Sequence, residues 1–221
     1  MTQALDRVER VGVMTTPDPG RGLAPVTPLA RYHVVALAAS AGGIHALARV
    51  LSELDPAFPA AILIVLHLDP HHPSHLSEIL GRRTAMPVVD ARDGATILPG
   101  HAYVGLPDHH LLVNGDDTIS LTKTEFVHFV RPSADLLFDS VAASYGERAI
   151  AVVLTGTGVD GATGVRAIHE RGGLVLVQDE ASSEFFGMPT AAIETGSVDR
   201  VLPLDAIGPA IRELVEGPGA A

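Results

Sequence analysis

The sequence predicts an α/β fold: a doubly wound, mostly parallel sheet flanked by helices, with an antiparallel hairpin insertion. Three observations carry this. Four strand-length runs, residues 33–39, 60–66, 149–154 and 174–177, are apolar almost throughout, as strands buried on both faces are. Segments with helical spacing alternate with them, which is the pattern of parallel strands joined by crossovers. Each run ends in polar residues: Ser40, His67, Thr155 and Gln178.

Taken in order, residues 1–31 hold Pro17, Pro19, Gly20, Gly22, Pro25 and Pro28 and read as a flexible leader or linker. The domain is expected over residues 32–216, with a flexible tail at 217–221. The first strand leads through Ser40-Ala41-Gly42-Gly43 into a helix at 44–54. The link to Phe58 is long enough for one right-handed crossover, so the second strand lies parallel to the first. Pro73-Ser74-His75-Leu76 opens a short helix ended at Gly81, with Ser74 or the residue before Pro73 as its cap. Residues 88–120 change character. Short strands at 102–105, 110–113 and 118–121, with an Asn114-Gly115 turn signal, predict antiparallel hairpins laid against the parallel sheet as an insertion. Ser133 caps a helix to about Tyr145, and Gly146 ends it. The third strand runs into Thr155-Gly156-Thr157-Gly158-Val159-Asp160-Gly161 and a helix stopped by Gly172-Gly173. After the fourth strand, Met188-Pro189 starts a further helix, and residues 198–202 and 204–215 supply a last strand and helix.

At 221 residues, with 47% hydrophobic and 19% charged side chains, the chain is sized for one globular domain. Its apolar runs are far shorter than the roughly 20 residues that cross a bilayer, and the leader lacks the basic and apolar regions of a secretory signal, so a cytoplasmic enzyme without membrane insertion is expected. The absence of cysteine excludes disulfides, thiolate metal sites and a Cys nucleophile, leaving Ser and Thr hydroxyls for covalent chemistry. A net charge of −11 argues against nucleic acid as the main partner.

Ligands of doubly wound sheets gather outside the carboxyl ends of the strands. Ser40, His67 and Asp160 each follow an apolar strand directly or within a short loop. They form a candidate catalytic set: nucleophile, general base and orienting carboxylate, with backbone N–H groups of the Gly-rich turns, Gly42 among them, for an oxyanion. Each has a plainer reading. Ser40 and Asp160 can be helix caps, His67 a hydrogen-bonded strand-end residue, and Asp69 competes with Asp160 for the third place. A rival occupies the same turn: Gly156-x-Gly158-x-x-Gly161 after a strand, with Asp179 and Glu180 about 20 residues on, satisfies the dinucleotide fingerprint. Against it, Asp160 sets a carboxylate where a pyrophosphate would sit. His71, His72 and His75 invite a metal reading, which Pro73 disfavours by interrupting their helical spacing, so neither metal nor cofactor is expected.

These motifs resemble the catalytic domain of the chemotaxis receptor methylesterases, the CheB family. The resemblance runs from about residue 33 to 214. It rests on Ala39-Ser40-Ala41-Gly42-Gly43, on His67 after its strand, on Leu98-Pro99-Gly100-His101-Ala102-Tyr103 and Arg131-Pro132-Ser133, on Leu154 through Gly161, and on Glu180-Ala181-Ser182 followed by Phe186-Gly187-Met188-Pro189. It implies Ser40 as nucleophile, His67 as general base, Asp160 as its partner and the Thr157 amide in the oxyanion site, with Met188 assigned to the substrate side. It further implies hydrolysis of glutamate methyl esters on a methyl-accepting receptor or similar signalling protein, and in some members glutamine deamidation. Ala39 and Ala41 stand where the family usually has Gly and Thr, and the leader is too short for the receiver domain that many members carry upstream. An acidic receptor helix would call for basic residues at the rim: Arg131 first, then Arg82, Arg83 or Arg92. The other readings are a serine esterase for small esters, a dinucleotide-binding module, and a binding module without catalysis.

Overall fold

A computed structural model of the protein describes residues 33–68 and 74–217. The leader, Asp69, His71 and His72, and all of the tail after Gly217 lie outside the described residues. In chain order the elements are β1 (His33–Ala39), α1 (Gly43–Leu51), β2 (Ala60–Leu66), α2 (Leu76–Gly81), β3 (Val88–Asp90), β4 (Ala102–Val104), β5 (His110–Val113), β6 (Ile119–Thr122), α3 (Ala134–Tyr145), β7 (Ala149–Val153), α4 (Ala162–Glu170), β8 (Leu174–Gln178), α5 (Gly187–Ile193), β9 (Arg200–Leu202) and α6 (Leu204–Glu216).

Seven strands form one sheet in the order β3-β4-β2-β1-β7-β8-β9, every neighbouring pair parallel. The first described strand, β1, lies in the middle; the chain winds outward through β2, then returns to β7 and winds the other way. The switch point therefore lies between β1 and β7, and it opens a crevice above their carboxyl ends. β1 is apolar throughout because each face meets a different core. Val34, Ala36 and Ala38 pack with Phe138 and Val141 of α3 and Val165 and Ile168 of α4. Val35, Leu37 and Ala39 pack with Leu47 and Val50 of α1 and Ile207 and Ile211 of α6. A period of two survives in the packing though not in the hydrophobicity.

The expected insertion is half corrected. β5 and β6 do form an antiparallel hairpin, with Leu111, Val113 and Ile119 buried against α3. β3 and β4, however, pair in parallel and extend the main sheet through β2. The loop between them makes the difference. It crosses to the hairpin, where Gly94 N–H donates to Ile119 C=O and Ile97 N–H to Asp117 C=O, both at 2.8 Å, and then returns to the start of β4. A loop thus does the work of a crossover helix, and three-residue strands carry no sign of their direction. The N-cap position of α2 is His75, while Ser74 Oγ accepts from Leu76 N–H at 3.1 Å from one residue further out.

Candidate active site

The hydrogen-bond ladder of the sheet continues past the strands and sets the first two residues. Ala39 pairs with Leu66; beyond them, His67 N–H donates to Ala39 C=O at 3.2 Å and Ser40 N–H to Thr155 C=O at 3.0 Å. Ser40 is thereby held between the ends of β2 and β7, one strand spacing of about 4.8 Å from each. Gly42, at φ 76° in the left-handed region, turns the chain from β1 into α1. Gly43 has no room for a side chain, because a Cβ would lie 2.7 Å from that of Ala39. Ser40, Gly42, Leu66, His67 and Glu184 line one open cavity of about 550 Å³.

His67 is joined to Asp160 by a 2.8 Å bond from Nε2 to Oδ2. Asp160 is 3% exposed, and three further donors converge on it: Ser133 Oγ (2.7 Å) and Asp135 N–H (3.2 Å) on Oδ1, and Ala134 N–H (2.5 Å) on Oδ2. Burial is the largest single influence and opposes the charge, but the bonds from His67, Ala134 and Ser133 together outweigh it and hold the carboxyl below the ordinary range. Two of these donors, the Ala134 and Asp135 N–H groups, are free backbone groups at the start of α3, so Asp160 caps that helix across space, beside the N-cap Ser133. The arrangement is reciprocal. Asp135, in the first turn of α3, accepts from Gly164 N–H at 2.7 Å in the first turn of α4. The helices come close enough for this because Gly164 lacks a Cβ, which would lie 2.6 Å from that of Phe138. Burial pushes the Asp135 carboxyl above its ordinary range, the Gly164 N–H opposes that, and the neighbouring Asp160 charge adds to the rise.

The turn after β7 completes the crevice. Gly156 is wedged between Ser40 and Met188: a Cβ there would overlap the Met188 sulfur and stand 2.9 Å from Ser40 Cβ. The turn is stitched to the segment before α5 by Gly156 N–H to Phe185 C=O and Met188 N–H to Gly156 C=O, both 2.9 Å. Thr157, exposed at its tip, shares a second cavity of about 220 Å³ with His67 and Asp160. The dinucleotide reading fails on this geometry, because the N-terminus of α4 already holds the Asp135 carboxylate and Gly156 is small to admit Met188 rather than a pyrophosphate. Among the described residues, no group of three or more acids and histidines is arranged to hold a metal.

A CheB methylesterase family model matches residues 35–211. The chain belongs to the CheB methylesterase family. It is 38% identical to the protein-glutamate methylesterase FrzG of Myxococcus xanthus over 96% of this chain and 64% of that one. It is 44% identical to a protein-glutamate methylesterase/protein-glutamine glutaminase of Anaeromyxobacter dehalogenans over 84% and 54%. The chain thus spans between half and two thirds of the length of these relatives. The crystal structure of the Thermotoga maritima CheB methylesterase catalytic domain superposes with a TM-score of 0.81 at 34% identity, covering 84% of this chain and all of that one.

Within this CheB fold, Ser40 and His67 face one cavity, and His67 and Asp160 are bonded; Ser40 and His67 make no hydrogen bond to each other. Two expected site residues are corrected. Met188 is 1% exposed and packs behind Gly156, so it supports the turn instead of lining a surface. Arg131 is not a free cation at the rim. Its Nε and Nη2 both bond Asp108 Oδ1, its Nη1 bonds Thr124 C=O at 2.6 Å, and its guanidinium stacks 4.2 Å over Phe126. This clamp, with Lys123 helping, holds the Asp108 carboxyl below its ordinary range. Ala39 in place of Gly is accommodated within β1, paired with Leu66. Three contributors carried no sequence signal of their role: Asp135, the Ser133 hydroxyl as donor to Asp160, and Glu184 on the wall of the Ser40 cavity.

Proposed function

We propose that residues 32–216 form a catalytic domain that hydrolyses the methyl esters of glutamate side chains on a signalling protein of the chemoreceptor type, on the cytoplasmic side of the membrane. The observation that carries this reading is the His67–Asp160 pair at the carboxyl edge of the sheet, one strand from the Ser40 turn. With Nε2–H given to Asp160, Nδ1 of His67 keeps its lone pair and accepts the Ser40 proton as Oγ attacks the ester carbonyl. Asp160 stabilises the imidazolium that results, and the backbone N–H groups of Thr157 and Gly42 receive the oxyanion. The tetrahedral intermediate collapses as His67 returns the proton to the departing methoxide; methanol leaves a glutamyl ester on Ser40. Water attacks this ester, giving its proton to His67, and the second collapse restores the Ser40 hydroxyl and frees a glutamate. The same acyl-enzyme forms from a glutamine side chain with ammonia as leaving group, the second activity in the names of several relatives. The chemistry needs no metal or organic cofactor.

Methanol release from a methylated receptor, compared between wild type and Ser40→Ala, tests the reading. Release by wild type alone is expected, and equal rates overturn Ser40 as nucleophile. A hydrolase of small esters would label with a fluorophosphonate at Ser40 yet leave the receptor methylated.

A further inference from the structure

Beside Thr157 and His67, the 220 Å³ cavity is bordered by Phe129 and Val159. Val159 is 52% exposed and Phe129 98%. Val127 and Val130 close a two-residue turn with N–H to C=O bonds of 3.2 and 2.9 Å in both directions. Its two central residues, His128 and Phe129, have φ of 49° and 64°. Such a turn favours glycine or asparagine, and a phenylalanine held there is strained. What holds it is the His128 side chain, whose Nε2 bonds the buried Asp135 Oδ2 at 3.0 Å. Phe126, in the same loop, has one face of its ring under Arg131. The Phe129 ring is turned fully outward at the edge of the catalytic crevice.

We propose that Phe129 and Val159 form an apolar lip that seats a hydrophobic side chain of the protein substrate next to its glutamyl ester. The proposal rests on the methylesterase reading. An ester carbonyl that reaches both Ser40 and the Thr157 N–H lies across His67, which borders both cavities, so the substrate chain beside the ester comes down on this lip. The occupant is apolar because the lip is, and because a protein of net charge −11 with Arg131 already paired offers an acidic helix no attraction here. A strained turn that holds a phenyl group 98% exposed leaves apolar surface in water that burial against a partner would remove.

The test compares wild type, Phe129→Ala and Phe129→Leu on a methylated receptor, by methanol release, and on p-nitrophenyl acetate. For Phe129→Ala, KM on the receptor should rise about tenfold with kcat little changed, the effect of losing an aromatic anchor. Phe129→Leu should stay within about threefold of wild type, turnover of the small ester should be unchanged in both, and Tm should hold or rise because the ring has no folded-state partner. A receptor KM unchanged by Phe129→Ala, or an equal loss on both substrates, overturns the lip. So does a receptor KM that climbs steeply with salt, which would mark charge-driven docking. Wild type that cleaves p-nitrophenyl acetate but leaves every methylated receptor intact overturns the methylesterase reading itself.

Discussion

Replacing Asp160 by asparagine keeps the shape of the buried junction and removes its charge. Four donors point at the carboxylate: Ser133 Oγ and Asp135 N–H at Oδ1, Ala134 N–H and His67 Nε2 at Oδ2. An amide has one acceptor oxygen, so two of the four must meet an NH2 group. If the NH2 replaces Oδ2, the Ala134 N–H, the shortest bond of the set, is orphaned, and His67 must move its proton to Nδ1 so that Nε2 can accept from the amide. If it replaces Oδ1, the Ser133 hydroxyl rotates to accept from it, and only Asp135 N–H, the longest bond of the set, is orphaned. The second placement wins. One orphaned buried donor, plus charge-assisted bonds made neutral, costs about 2–3 kcal/mol, or roughly 4–12 °C in Tm for a domain of this size. Because the amide oxygen stays on His67, the tautomer survives, and kcat should fall about 100-fold rather than the ~10⁴-fold that a wrong tautomer brings. The Tm gap should also depend on pH in one direction. A carboxyl held below its ordinary range stabilises the fold above its unfolded value of about 3.9 and loses that contribution as pH falls through the lower folded value. Wild type and variant should thus differ by a constant amount above about pH 5 and converge in stronger acid. Methanol-release kinetics with calorimetry from pH 3 to 8 measures both. A kcat within about threefold of wild type with an unchanged Tm would refute Asp160 as the partner of His67.

Gly156→Ala places a methyl group against the Met188 sulfur and Ser40 Cβ, so stability should drop by about 1–3 kcal/mol and kcat more than tenfold. Adding Met188→Ala should recover part of the Tm but little of kcat, since Ser40 stays displaced; full recovery of kcat would show that the serine had not moved. Ser133→Ala removes the α3 N-cap and one donor to Asp160. It should cost about 1 kcal/mol and shift acid unfolding to higher pH as the Asp160 carboxyl moves back toward its ordinary range; an unshifted acid transition would leave the Ser133 bond without energetic weight.

The parallel pairing of the long strands, the crossover helices and the place of three chemistry-bearing residues at the carboxyl edge were legible because continuous apolar runs announce parallel strands and polar residues mark their ends. The direction of β3 and β4 was not legible. Three residues give no register, and the direction follows from Gly94 and Ile97 pairing with a hairpin some twenty residues downstream. Arg131 misled for a related reason: a cation in a loop looks available until Asp108, 23 residues earlier, is seen to hold it. Gly156, Gly158 and Gly161 satisfied the dinucleotide pattern while serving packing at the first and positive φ at the other two. Gly156 makes room for Met188 and Ser40, and Gly161, at φ 101°, turns the chain into α4.

The exchange of carboxylates between α3 and α4 explains how, on the methylesterase reading, one Gly-rich turn serves ester hydrolysis instead of a nucleotide. Two helix N-termini packed side by side each carry partial positive charge, and each is satisfied by an acid from the other's sequence: Asp160 on α3, Asp135 on α4. An external phosphate would have to displace an internal anion. The outer rim of the turn, where Thr157 is exposed, stays open, and each carboxylate also holds a histidine, His67 on Asp160 and His128 on Asp135. The two histidines thereby take fixed positions from a buried structural device. On the methylesterase reading, one serves proton transfer and the other aims the substrate-facing turn. A mutation that loosens the α3–α4 contact, at Gly164 or Phe138, should then impair both functions without touching either histidine.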